Sequence, residues 1–114
     1  MEPAGSFHYE VEKSKVDEFG NKVTTVMCHG RLVSGSAEEI KNAVKPLIPA
    51  GGRIVIDLTD VNYLDSSGLG ALVGLKVSAL KQGLCILEFV NMTPRVMELL
   101  RVSNLTQMFS SSRA

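Results

Sequence analysis

Tryptophan is absent from this 114-residue chain, and four Phe and two Tyr supply all of its aromatic surface. Neither sign of charge is in excess, because twelve Lys and Arg balance twelve Asp and Glu. A nucleic-acid surface needs a basic face that neutralises phosphates, and single-strand binding adds aromatic rings on which bases stack. Both classes are disfavoured. Cysteine is scarce as well. Cys28 and Cys85 lie far apart in apolar, strand-like runs, with no C-x-x-C pair and no Cys/His ligand spacing. They are expected to be buried free thiols, with no metal site. The opening MEPAGSFHYE lacks the basic and apolar regions of a signal peptide. The longest apolar run, Leu69 to Leu75, is far too short to span a bilayer. The expectation is a cytoplasmic protein without membrane contact.

What is present describes one globular domain. Apolar residues make up 45% and charged residues 21%. A chain of this length buries roughly 65% of the surface that its unfolded form exposes. One domain over residues 1–114 is expected, with the first few residues and the C-terminal tail loose.

The patterning divides this domain into short elements. FHYEVEKSKV alternates with a period of two, placing Phe7, Tyr9 and Val11 on one side and His8, Glu10 and Glu12 on the other. That reads as a half-buried strand. Gly20-Asn21 tolerates the positive φ of a hairpin turn, and VTTVMCH returns as the second strand. Ser36 with Glu39 spells a capping box for a helix whose apolar face is Ala37, Ile40, Val44, Leu47 and Ile48, kinked or ended near Pro46. RIVIDL, β-branched and apolar, suits a central strand. A helix is expected over Ser66–Gln82, with Leu69, Leu72, Val73, Val77 and Leu80 on one face and Gly83 as its stop. LCILEFV reads as another buried strand. A last helix starts with Thr93 as N-cap and Pro94 at its first position and ends at Asn104, and LTQMFSSSRA would add a short strand. The string ββ-α-β-α-β-α specifies an α/β domain with a small mixed β-sheet: an N-terminal hairpin plus parallel strands, packed by helices.

The stretch NYLDSSGLGALVGL, Asn62 to Leu75, holds the chemistry. GLGALVG falls short of a dinucleotide fingerprint: the first glycine is not at the strand end, and Val73 holds the third glycine's place. No Gly-Lys-Ser/Thr is present for a phosphate loop. A nucleophile elbow needs glycine two residues before its serine, and Leu64 and Asp65 stand there. His8 and His29 precede the serines and lie in strands, so no downstream base is in evidence to activate a hydroxyl. The chain is therefore not expected to be an enzyme. A serine as N-cap, with Asp65 at the positive end of the helix dipole, accounts for one acid and one serine. It leaves Gly68 and Gly70 unexplained, since each costs roughly 1 kcal/mol relative to Ala inside a helix. Glycines there leave the serine hydroxyls open to a macromolecule.

The block RIVIDLTDVNYLDSSGLGALVGLKVSALKQGLCILEFVNMTPRVMELLRVSNL resembles the STAS domain family, specifically the bacterial anti-sigma-factor antagonists. The likeness is carried by an apolar strand, an acidic-hydrophobic loop and Asp-Ser-Ser-Gly-Leu-Gly opening a helix, followed by a strand and a P-x-V-x-x-x-L helix. The resemblance implies a partner-switching regulator of transcription, acting in stress response or sporulation. Ser66, with Ser67 as alternative, would be phosphorylated by an anti-sigma factor that is itself a serine kinase, and a phosphatase would restore it. Any ATP would belong to that kinase, and the domain itself would need no cofactor and act as a monomer or weak dimer. The implied partner-binding residues are Asp65, Ser66, Ser67, Gly68 and Leu69, with Arg31, Val33 and Ser34 from the neighbouring loop. There the antagonists commonly carry an acid and an Asp where this chain has Arg31 and Val33, which implies a partner of altered charge. The chain stops soon after Phe109, where the family often continues into another helix, so that helix is expected to be short or missing. The alternative is a non-switching STAS scaffold, or a small-ligand-sensing module, in a larger signalling complex.

Overall fold

The computed structural model describes residues 7–102 and residue 104. The expected tail strand after Asn104 and the loose first residues lie outside the described part. β1 (His8–Val16) and β2 (Lys22–Leu32) form an antiparallel hairpin. Its turn is held by Asp17, whose Oδ1 accepts the N–H groups of Phe19 at 2.8 Å and Asn21 at 2.9 Å. Gly20 supplies a φ of 83°, where a side chain would strain the backbone. α1 (Ser34–Val44) leads into a 3₁₀ helix, Lys45–Ala50, which Pro46 opens. β3 (Gly52–Leu64), α2 (Ser66–Gln82), β4 (Cys85–Val90) and α3 (Pro94–Val102) follow.

The sheet order is β1-β2-β3-β4, with β2, β3 and β4 mutually parallel. This is the expected mixed sheet. α1 and α2 pack on each other, α1 on β2 and α2 chiefly on β4, and α3 rests on β3. The core is drawn from Val26, Cys28 and Leu32 of β2, Ile54, Ile56 and Leu58 of β3, and Leu87 and Phe89 of β4. Arg53 ties the far end together, bonding Glu88 of β4 and reaching Asp17 of the hairpin turn at 3.5 Å.

Several expectations need correction. β1 is an edge strand, so Tyr9 and Val11 of the expected inward set remain 37% and 44% exposed, and only Phe7, just before the strand, is buried. β3 runs six residues beyond Leu58, taking in the segment read as a loop: Val61 and Leu64 are buried while Thr59 and Asp60 face out. α1 starts two residues before Ser36, with Val33 at the N-cap. Ser36 serves from inside the first turn, where its hydroxyl accepts the Val33 N–H at 2.8 Å.

In α2 the boundaries agree with the sequence reading, and Gly83 ends the helix at φ 66°. The buried face agrees only in part: Leu72 is buried and Leu69 and Val73 pack half-buried against the core. That face comprises Gly68, Ala71, Leu72, Leu75, Lys76 and Ala79, whereas Val77 and Leu80 are exposed. Close approach of α2 to the sheet selects small residues over long ones. Lys76 reaches the interior, where its Nζ donates to the Leu87 carbonyl at 2.7 Å. Both thiols are free, but only Cys28 is buried and Cys85 is half-buried. Burial pushes the Cys28 thiol up to about 12. The Thr93 cap holds: its Oγ1 accepts the Val96 N–H at 3.3 Å, and Asn104 takes a positive φ of 59° just beyond α3.

Candidate functional site

Parallel strands β2 and β3 each pass directly into a helix, so α1 and α2 both begin at the same end of the sheet. Open α/β sheets bind at the carboxyl ends of their strands for this reason. The two junctions meet at the main chain of Leu32. Its carbonyl accepts the Asp65 N–H at 3.3 Å. A Cβ on Gly68 would lie 2.2 Å from that oxygen and 2.9 Å from Leu64 Cδ1. Glycine is therefore needed at position 68 for packing, which gives that residue a structural reason that the sequence left open. Gly70 is different: nothing lies within 4 Å of the Cβ it lacks.

Asp65, not a serine, is the N-cap of α2. Its Oδ1 accepts the Gly68 N–H at 2.9 Å, and its carbonyl accepts the Leu69 N–H at 2.9 Å. Ser66 and Ser67 thereby fall at the first and second helical positions, and both side chains are exposed. Leu69 packs half-buried against the core. Across the junction, the Ser36 hydroxyl donates to the Arg31 carbonyl at 2.8 Å, pinning the β2–α1 turn from below. Above it Arg31 and Ser34 are exposed and Val33 is half-buried. The Arg31 guanidinium lies 4.8 Å from the centroid of the Tyr63 ring, a cation–π contact between residues in register on β2 and β3. Neither helix carries an acid in its first turn. The edge thus combines two helix starts, where partial positive charge gathers, with one arginine and the Asp65 carboxylate that caps α2.

All the residues singled out in the sequence thus gather at one edge, Gly68 within it and the rest on or near its surface. His8 and His29 do not join them. Both ring nitrogens of His29 are engaged, Nδ1 with Asp60 Oδ2 at 2.7 Å and Nε2 with Glu10 Oε1 at 2.8 Å, and its ring stacks on His8. This cluster went unnoticed in the sequence, where isolated histidines in strands read as ordinary pleat residues. Among the described residues, no group of three or more His, Cys, Asp or Glu side chains is placed to hold a metal. No described helix is long and apolar enough to cross a membrane.

A four-stranded mixed sheet with three helices, and an exposed serine pair at a capped helix start, defines a small mixed α/β domain. The chain belongs to the STAS domain family, whose model matches residues 14–113. It is 34% identical over 83 residues to an anti-sigma-B factor antagonist of Bacillus subtilis, covering 73% of this chain and 75% of that one. It is 33% identical over 88 residues to a STAS-domain-containing protein of Pseudomonas aeruginosa, covering 77% and 86%. The fold is similar to that of the anti-sigma factor antagonist SpoIIAA in its unphosphorylated form. That match has a TM-score of 0.70 and 18% identity, over 90% of this chain and 85% of that one. The domain is thus an anti-sigma factor antagonist-like STAS domain.

Proposed function

We propose that this protein is a partner-switching anti-sigma-factor antagonist of the bacterial cytoplasm, with Ser66 as its phosphorylation site and Ser67 as the neighbouring alternative. Unphosphorylated, it would bind an anti-sigma factor that is a serine kinase and so release the sigma factor. The kinase would transfer the γ-phosphoryl group of ATP to Ser66 Oγ, with ADP leaving, and a phosphatase would reverse the step. The docking face would be Arg31, Val33, Ser34, Asp65, Ser66, Ser67 and Leu69, with Gly68 acting from below through the packing it permits.

One observation carries the reading. Ser66 is exposed at the first turn of α2 while Asp65 occupies the cap. A phosphate adds about −1.5 to −2 charges. At this position it would meet the positive helix end without displacing the cap, so the fold would tolerate it. The switch would then act through charge and bulk at the interface, with little refolding. A misplaced desolvated charge supplies the few kcal/mol required.

The test is a comparison of Ser66→Ala with Ser66→Asp, using a co-occurring serine kinase of the anti-sigma-factor type and ATP. Wild type should gain one phosphate by intact mass, and Ser66→Ala should gain none yet still bind. Ser66→Asp should bind more weakly by about 1–3 kcal/mol, less than a true phosphate, because it carries one charge and fewer oxygens. Equal affinities for both variants, close to wild type, would sink the switch. A non-switching scaffold or small-ligand module is the second reading, favoured by Arg31 and Val33 standing where antagonists commonly carry acids. A small molecule retained in native mass spectra, without phosphorylation, would support it.

A further inference from the structure

We infer that His29 is a proton-operated clasp, joining edge strand β1 to β3 across β2 and holding the irregular stretch of the sheet that leads to the Ser66 edge. The β2–β3 ladder shifts register between Met27 and His29, and again between Gly30 and Arg31. Backbone pairing is locally interrupted there, so side chains carry more of the alignment. His29 stands between the two shifts, in register with Asp60. Its two nitrogens face Glu10 of β1 and Asp60 of β3 at 2.8 and 2.7 Å. A neutral imidazole has one N–H and can serve one of these carboxylates, leaving a lone pair against the other. Only the imidazolium donates to both. The clasp is therefore closed when His29 holds its second proton, and half open when it does not.

The surrounding charges favour closure. Glu10 flanks the ring from β1, and Asp60 and Asp57 approach from β3, the latter lining with His29, Met27 and Thr59 a pocket of about 230 Å³. Thr59 and Asn91 are hydrogen-bonded to Asp57. Opposing them is His8 of β1, whose ring stacks on His29 with centroids 4.6 Å apart and would repel it if also protonated. Arg31, two residues along β2, is engaged with Tyr63. The hydrogen bond that the ring donates to Glu10 is the largest influence and raises the His29 pKa above its ordinary 6.5; burial opposes it, and the bond to Asp60 adds to the rise. Because the folded value is the higher one, the contribution is complete below about pH 6.5 and is lost as pH rises through the raised value. Arg31 and Tyr63 lie next along the same two strands, so opening loosens the presentation of the Ser66 edge. The inference does not depend on the partner-switching reading.

The test is a pH titration of the whole protein by NMR, following the His ring signals and amide hydrogen exchange from about pH 6 to 9. His29 should titrate above 6.5. Protection of β1, Gly30–Leu32 and Val61–Leu64 amides, corrected for intrinsic exchange, should fall by up to about fivefold through the same transition. His29→Gln should flatten that dependence, and His8→Gln should preserve it. A His29 midpoint at or below 6.5 in wild type overturns the clasp, even if the variants fail to fold. So does an equal fall in His29→Gln, or loss of the transition in His8→Gln.

Discussion

Gly68 of α2 lies so close to the Leu32 carbonyl of β2 that a Cβ on the glycine would stand 2.2 Å from the oxygen. That atom is backbone and cannot swing aside, so α2 would have to move. Gly68→Ala should destabilise the fold by about 1–3 kcal/mol, the usual cost of overpacking. Gly70→Ala, two residues on and facing open space, should stabilise by about 0.5–1 kcal/mol through helix propensity. Urea denaturation of the two variants should show midpoints moving in opposite directions.

The cap assignment separates Asp65 from Ser66. Asp65→Ala removes the acceptor for the Gly68 N–H and should cost about 1 kcal/mol. Asp65→Asn should recover most of this. Ser66→Ala, at an exposed position outside the cap, should stay within about 0.5 kcal/mol of wild type. Ser66→Asp should be no less stable than Ser66→Ala, since the new carboxylate meets the positive helix end. Thermal melts at low and high salt would check both the order and its electrostatic origin.

Lys76 is only 3% exposed, and burial lowers its pKa below the ordinary 10.5. The unfolded chain then binds this proton more readily than the folded one, so the charge opposes folding at neutral pH. The penalty is relieved as pH rises through the lowered value and is gone by about 10.5. Relative to Lys76→Met, wild type should therefore gain stability on the alkaline side. Paired denaturation curves at neutral and alkaline pH would measure the drift, and a constant difference would contradict it.

Arg31 stacks on Tyr63 at the surface, and exposed contacts of this kind contribute about 0.5–1 kcal/mol. Arg31→Ala should cost no more than that in stability. On the partner-switching reading, the same change should alter the salt dependence of anti-sigma-factor binding more than the fold. Titration calorimetry at two ionic strengths would resolve the two effects.

Much of this was legible in the sequence, because local chemistry set it. The Asp-Ser-Ser-Gly start and Gly83 stop bounded α2, and the period-two runs gave the hairpin. The inner face of α2 was partly misread because periodicity ranks residues by greasiness, while close helix–sheet contact selects Gly68, Ala71 and Ala79 for size. The end of β3 was missed because Thr59, Asp60 and Asn62 look like a loop until β2 is laid beside them. The His29 cluster joins residues 19 and 31 positions away. Only the strand register brings them together.

The junction at Leu32 also bears on how such a domain can be retargeted. What fixes the serine-bearing helix start against the neighbouring loop is a main-chain carbonyl and the missing side chain at position 68. Arg31, Val33 and Ser34 contribute no side-chain bond to that attachment. On the partner-switching reading, a library randomised at those three positions should therefore redraw the surface offered to a kinase while the Ser66 hydroxyl keeps its place. Orthogonal pairs could be selected from one scaffold without redesigning its frame.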